Sequence, residues 1–314
     1  MSGDTFHEGE TALQERTGVR ARLADAGPRV IRDHMPDQHR EFFAQLPFLV
    51  AGTVDAQGQP WASVLAGAPG FVTSPDPKRL DVRAQPLSHE PLSENLAAGA
   101  PIGLLGIEPH TRRRNRMNGH VSRFDDSGFS VVVEQSFGNC PKYIQARRPE
   151  FTSASSTGPA QRLDALDEAA RALIARADTF FIATAHPQAG RGDARAFGVD
   201  VSHRGGKPGF VRVDRDGTLT VPDFIGNFFF NTLGNLSVNP RCGLLFIDFD
   251  NGDMLQVAAR GEIIHDDAEV LAFEGAQRLL RFQVVSVLRW PSALPLRWGE
   301  AEMSPVLAAT GSWR

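Results

Sequence analysis

The chain has 314 residues, 41% of them hydrophobic, with 33 Lys and Arg against 37 Asp and Glu. That length holds about two domains and excludes a wholly disordered chain; the net charge of −4 gives no general reason to bind nucleic acid. Apolar runs of roughly five to seven residues are far short of a membrane span, and two cysteines, Cys140 and Cys242, make neither a disulfide framework nor a four-thiolate zinc site.

In chain order, the polar, acidic start Met1 to Glu10 is not a secretory signal. The whole reads as cytoplasmic, with no membrane or nucleic-acid partner. Residues 1–35 form an extension, expected to be peripheral and helical from Glu10 to Ala26. Met35 to Leu46 reads as a short helix with Phe42, Phe43 and Leu46 on one side. Strands are predicted at Phe48–Val54 and Trp61–Leu65, around the turn Asp55–Gly58. A Ser/Thr/Gly/Pro stretch, Thr152 to Pro159, centres a linker over 149–161. Helix spacing returns at Arg162–Ala177, followed by strands at Gly209–Val213 and Thr218–Val221 around Asp214–Gly217. Further strands follow at Gly243–Phe249 and Met254–Ile264, then a helix over Asp266–Leu280 and a returning strand at Arg281–Leu288. Residues 291–314 are a tail. Thirty glycines and 21 prolines punctuate the chain, which favours many short strands over long helices.

The chain repeats itself. Asn95-Leu96 through Gly103-Leu104-Leu105 to Glu108 aligns without gaps to Asn235-Leu236 through Gly243-Leu244-Leu245 to Asp248. Pro69-Gly70-Phe71-Val72 matches Pro208-Gly209-Phe210-Val211, Phe48–Ala51 resembles Phe180–Ala183, and Gly119 falls opposite Gly261. Four matches in order imply two copies of one domain, at 36–148 and 162–290. Short, mostly antiparallel strands with few helices predict a mainly β fold of two tandem small barrels, closure removing exposed edges.

Those residues carry a resemblance. Pro60-Trp-Ala-Ser63, the run Gly106-Ile-Glu-Pro-His-Thr-Arg-Arg-Arg-Asn-Arg116, Phe137–Ile144, Val201–Gly206 and Asn231–Asn235 together resemble the pyridoxamine 5′-phosphate oxidase-related split barrels, in their tandem branch. The resemblance implies two FMN-binding split barrels, FMN as cofactor, an oxidoreductase acting on a small substrate, and a homodimer. The family pattern Gln-Val-x-x-x-Gly, met at Gln256–Gly261, implies that the Gln256 amide bonds the flavin ring; the plain alternative is a strand glutamine. A second pattern implies that Asn227, Asn231 and Thr232 meet ribityl or phosphate, yet the family's basic pair is replaced by Asn231-Thr232. Arg212, His203 or Arg204 are candidates to restore that charge. Copy one, with Arg114 aligned to Gln256, is expected to be the structural partner. The C-terminal Arg-x-His segment of true pyridoxamine-phosphate oxidases is not found in the tail Leu294–Arg314.

Three constellations stand beside this. Arg112 to Arg116 reads either as an anion clamp or as a solvated turn. Cys140, beside Pro141, Lys142 and Tyr143, reads as structure near a cofactor rather than as a nucleophile, which would need a base such as His110, His120 or His203. Cys242 reads as core, and the histidine spacings point to no metal site. The function reading from another class is a non-catalytic protein binding flavin, haem or another anionic ligand on the same scaffold.

Overall fold

The computed structural model describes residues 5–153, 158–191 and 195–313. The centre of the expected linker, 154–157, lies outside the described residues. Helices α1 (Glu8–Arg16), α2 (Arg20–Val30) and α3 (Asp37–Ala44) precede β1 (Phe48–Val54), β2 (Pro60–Ala66), β3 (Val72–Asp76) and β4 (Arg79–Val82). Then come α4 (Pro91–Asn95), β5 (Pro101–Glu108), β6 (Arg113–Asp125), β7 (Gly128–Gly138) and β8 (Pro149–Phe151). The second half opens with β9 (Gln161–Leu163), α5 (Glu168–Arg176), β10 (Thr179–Ala185), β11 (Val199–Gly205), β12 (Arg212–Val213) and β13 (Leu219–Phe224). It closes with α6 (Asn231–Val238), β14 (Arg241–Ile247), β15 (Met254–Ile264), α7 (Ala268–Ala272), β16 (Ala276–Trp290) and β17 (Leu296–Trp298).

The two sheets have one topology. The first runs β2-β1-β5-β6-β7-β4-β3 and the second β11-β10-β14-β15-β16-β13-β12, with every pair antiparallel. Each curls around its own core. Leu49, Leu65, Leu80, Leu104, Met117 and Val131 of the first sheet meet in one cluster, and Phe180, Leu219, Leu244, Val257 and Phe282 of the second meet in another. The alternate residues of the same strands face the other barrel: Phe48, Val50 and Leu105 pack with Phe181, Val201 and Leu245. Period-two alternation thus buries both faces of β1, β5, β10 and β14. The barrels pair within one chain.

Glycine sets how closely they pair. A Cβ on Gly103 would lie closer than 3.0 Å to the Val199 carbonyl of the other barrel, and one on Gly243 would lie 2.7 Å from the Trp61 Cα. Both would press on backbone, which cannot swing aside. Gly103→Ala and Gly243→Ala are each expected to cost about 1–3 kcal/mol by overpacking. Gly198→Ala, where a Cβ meets nothing within 4 Å, is the control. Urea midpoints equal to that control would show that the barrels are not in this contact.

Several expectations shift. The repeat phase of the first strand is 131 residues rather than 132, because Val50 and Phe181 are the residues that pair Leu105 and Leu245. Gly119 and Gly261 are not equivalent: the ladders place Gly119 opposite Ile102 but Ala259 opposite Cys242. The helix expected from Arg162 begins at Glu168, where the Asp167 carboxylate accepts from the Ala170 amide at 2.9 Å, and residues 161–163 pair with β16 instead. The helix expected over Asp266–Leu280 is the single turn α7, which ends at the extended Phe273; the chain then turns through Gly275, at φ 83°, and β16 begins at Ala276. The N-terminal extension is not peripheral. Gly9 on α1 packs against Gly234 on α6 so closely that neither accommodates a Cβ, and Glu10 and Gln14 are buried there. Among the described residues, no helix is long and apolar enough to cross a membrane.

Candidate functional site

The strands bring two distant segments to one cleft of about 980 Å³, open mouth included. On β6, alternation sends Arg114 and Arg116 to one face, while Arg113 lies over the Phe42 ring and Arg112 bonds the Ile144 carbonyl and Glu302. The basic run is therefore neither wholly clamp nor wholly turn. The second barrel supplies His203 and Arg204 from β11, Asp223 and Phe224 from β13, Asn227, Phe228 and Phe230 from the following loop, and Arg278 from β16. Asn231 and Thr232 open α6 at the cleft, and no side chain caps that end. The first N–H groups of such a helix have no intrahelical partner and favour negative charge.

Charge concentrates here. Arg116 donates to Asp200 and to the Asn231 amide oxygen, each at 3.0 Å, and to the Ser202 hydroxyl. Arg204 pairs with Asp223, and Arg278 lies 3.6 Å from the same carboxylate. The cations outnumber these acids, and several donors have no hydrogen-bond partner: Arg116 Nε, Arg204 Nε, Arg278 Nε and Asn139 Nδ2, while Arg278 Nη1 has only its 3.6 Å ion pair with Asp223. Burial, then repulsion from Arg116, lowers Arg114 to about 10. Burial and Arg114 push His203 well below the usual histidine range, so its neutral Nδ1 accepts from Arg114 at 3.3 Å. An anion entering the cleft would meet donors already desolvated.

The rest of the wall is aromatic. Tyr143 stacks on Phe224, ring centroids 5.1 Å apart, and Arg278 covers Phe230 at 5.2 Å. Tyr143, Phe228 and Phe230 all hold φ near +65° without being glycine. Such backbone conformations cost energy and persist where the surroundings fix them, often at ligand sites. Phe6 and Leu23 of the N-terminal helical segment pack with Phe229 and support this loop from behind.

Five of the expected site residues, Asn227, Asn231, Thr232, His203 and Arg204, thus meet in the cleft. Cys140, Lys142 and Tyr143 join them, Arg114 donating to the Cys140 carbonyl at 2.9 Å. Two expected residues do not. Arg212 pairs with Asp214 at 2.6 Å and with Glu269 at 2.6 Å, and stacks on Trp313 outside the cleft. Gln256 is fully buried at the seam between barrels: its amide donates to the Ala62 carbonyl at 2.9 Å and to Glu90 at 2.6 Å, and its oxygen accepts from the Trp290 indole at 2.8 Å. Its counterpart is Arg116, not Arg114, because Leu105 pairs Arg116 where Leu245 pairs Gln256. Asp223 and Arg278 were missed; nothing in their sequence neighbourhood marks them, since strand pairing alone brings them in.

The family profile described as pyridoxamine 5′-phosphate oxidase matches residues 35–156 and again 166–287. The chain belongs to the pyridoxamine 5′-phosphate oxidase family. A search of curated proteins finds no match. Among solved structures, HupZ of Group A Streptococcus is 15% identical, with 41% of this chain and 96% of that one covered at a TM-score of 0.31. A Clostridium acetobutylicum protein of the pyridoxinephosphate oxidase family is 12% identical, with 42% and 92% covered at 0.29. HutZ of Vibrio cholerae, described as a heme storage protein, is 13% identical, with 45% and 97% covered at 0.25. The family's duplication within one chain agrees with the two sheets of identical strand order.

Away from the cleft, His7, Glu8 and His186 place possible metal-ligand atoms within 4.8 Å of one another. Their chemistry points elsewhere. Each histidine Nδ1 accepts a backbone N–H, from Gly9 at 3.1 Å and from Gln188 at 3.2 Å, so each Nε2 carries the proton rather than a lone pair. His186 Nε2 then donates to Glu8 at 3.0 Å, which ties α1 to β10.

Proposed function

We propose that the cleft binds FMN non-covalently and that the protein is an FMN-dependent oxidoreductase acting on a small substrate. The observation that carries this reading is the convergence of partnerless guanidinium donors from both barrels on the uncapped start of α6. Those residues fit a phosphate-bearing ligand. Arg116 and Arg204 would hold the phosphate with the α6 amides, replacing in space the basic pair that Asn231-Thr232 lacks in sequence. Asn227 and Asn139 would bond the ribityl chain, and Phe224, Phe228 and Tyr143 would wall the ring. FMN supplies, when bound, the capacity to accept and donate electrons, while the chain positions it and shields it from water. Both walls come from one chain, so the site needs no second copy to be complete.

A second reading, an anionic-ligand binding protein without turnover, is favoured by Gln256. The amide that the family pattern assigns to the flavin ring is locked into protein partners. Absorbance and fluorescence titration with FMN test both. Arg204→Ala is expected to weaken binding roughly tenfold to a hundredfold, as loss of a charge-assisted bond would. Wild-type protein that neither carries nor quenches FMN would sink the flavin reading. Tight binding with no reduction of the flavin by nicotinamide donors would favour the second reading over the first.

A further inference from the structure

A duplicated barrel pair has pseudo-two-fold symmetry, so every feature of the cleft has a counterpart on the opposite side. The ladders identify it. Ala51 pairs Ser63 where Ile182 pairs Ser202, and the next pairs match Val64 with His203 and Leu65 with Arg204. Ile107 pairs Arg114 where Ile247 pairs Met254. The Asn139 amide bonds the Arg114 carbonyl, and Trp290 is the partner of Met254. Side chains obey the same symmetry: Asn95 donates to Thr53 at 3.1 Å as Asn235 donates to Thr184 at 3.2 Å. Arg116 reaches Ser202 across the seam, and Gln256 reaches Ser63 across it at 3.2 Å.

At this counterpart three cations, the histidine, Asn139 and the residue before the open helix start are all replaced. The cations Arg114, Arg116 and Arg204 become Met254, Gln256 and Leu65, and His203 becomes Val64. Asn139, whose Nδ2 has no partner, becomes Trp290, which is buried and bonded to Gln256. Phe230, before the open helix start, becomes Glu90, whose carboxylate accepts from the Leu92 amide at 3.1 Å and from Gln256 at 2.6 Å. The chain's own carboxylate stands where the open cleft offers room for an anion. Pro91, which has no N–H, follows it. Ser63, Glu90, Gln256 and Trp290 are all buried.

We infer that the chain holds one ligand site, not the two its duplication would create, because Glu90, Gln256 and Trp290 seal the second position from within. The stoichiometry follows from the proposed FMN site, whereas the sealing stands on the ligand-free chain, and the two are measured separately. Equilibrium dialysis of the full chain with FMN is expected to give one equivalent per chain in the wild type and in Glu90→Gln, and a binding curve displaced to higher FMN in Arg204→Ala. Two equivalents would overturn the inference, as would one equivalent lost in Glu90→Gln and kept in Arg204→Ala. The second measurement is the solvent exchange of the Trp290 indole N–H by NMR, assigned through bonds on the native chain without ligand. Protection at least a hundredfold beyond a free indole is expected; exchange at the free rate would overturn the sealing. A protected indole in a chain that binds no FMN would support the sealed position and remove the FMN reading.

Discussion

Arg116→Ala is expected to lower the unfolding free energy by about 3–5 kcal/mol, the range for stripping one partner from a buried ion pair. Its guanidinium is the cation next to Asp200, at 3.0 Å, and both groups are buried. Asn118 and Asn235 each donate to Asp200 at 2.8 Å, but amide dipoles do not neutralise a charge. The variant also leaves Glu10 beside Asp200 without the nearby cation; burial already raises Glu10 well above the carboxylate range. Two buried acids would then face each other across α1 and β11. Lost packing adds to this, since Arg116 lies over the Phe137 ring at 5.3 Å. Thermal unfolding should show a fall of roughly 10 °C. Adding Asp200→Asn should recover a large part of the loss, because the pair's non-additivity reports their coupling. A loss below about 1 kcal/mol, the value of an exposed pair, would show that the two asparagines suffice for Asp200.

The duplication was legible because the Gly-Leu-Leu runs at 103–105 and 243–245 face the seam and the core in the same alternation in both copies. Its phase was harder. Phe180 and Phe181 offer two ways to match Phe48, and a slip of one residue exchanges the faces of a strand. The Gly119–Gly261 match misled for a related reason: it shifted the register of β15 by two residues and set Arg114 against Gln256. Two residues preserve the face of a strand, so the error left the pattern plausible while moving the site residue. Ladder pairing corrects it, and with the correction Gln256 reads as the counterpart of Arg116 rather than as a flavin ligand. The cleft itself was legible in fragments. The run Arg112–Arg116, the segment Asn139–Tyr143, the pair His203-Arg204 and the start at Asn231-Thr232 were each visible, but sequence spacing carries no information on which segments meet across two barrels. Asp223 and Arg278 had no signal, because a single charged residue on a strand looks like any solvated one.

The stability of the chain is expected to fall as pH rises from about 4.5 to 7, and Glu90→Gln should remove that part of the slope. Burial raises the Glu90 carboxyl from 4.5 to about 7, against the opposing bonds from Ser63, Gln256 and the Leu92 amide. In this window the native chain keeps a proton that the unfolded chain releases, so raising the pH favours unfolding. The contribution is fully present below the unfolded value and is lost as the pH passes the folded one. A shift of this size is worth on the order of 3 kcal/mol. Glu10, also raised by burial, and His203, lowered by it, titrate in wild type and variant alike, so the difference between the two chains isolates Glu90. Urea unfolding at pH 5 and pH 8 measures it: the wild type should lose stability relative to Glu90→Gln by that amount. An equal pH response in both chains would mean that water reaches Glu90. That result would also open the counterpart of the cleft, since burial is the largest cause of the raised carboxyl.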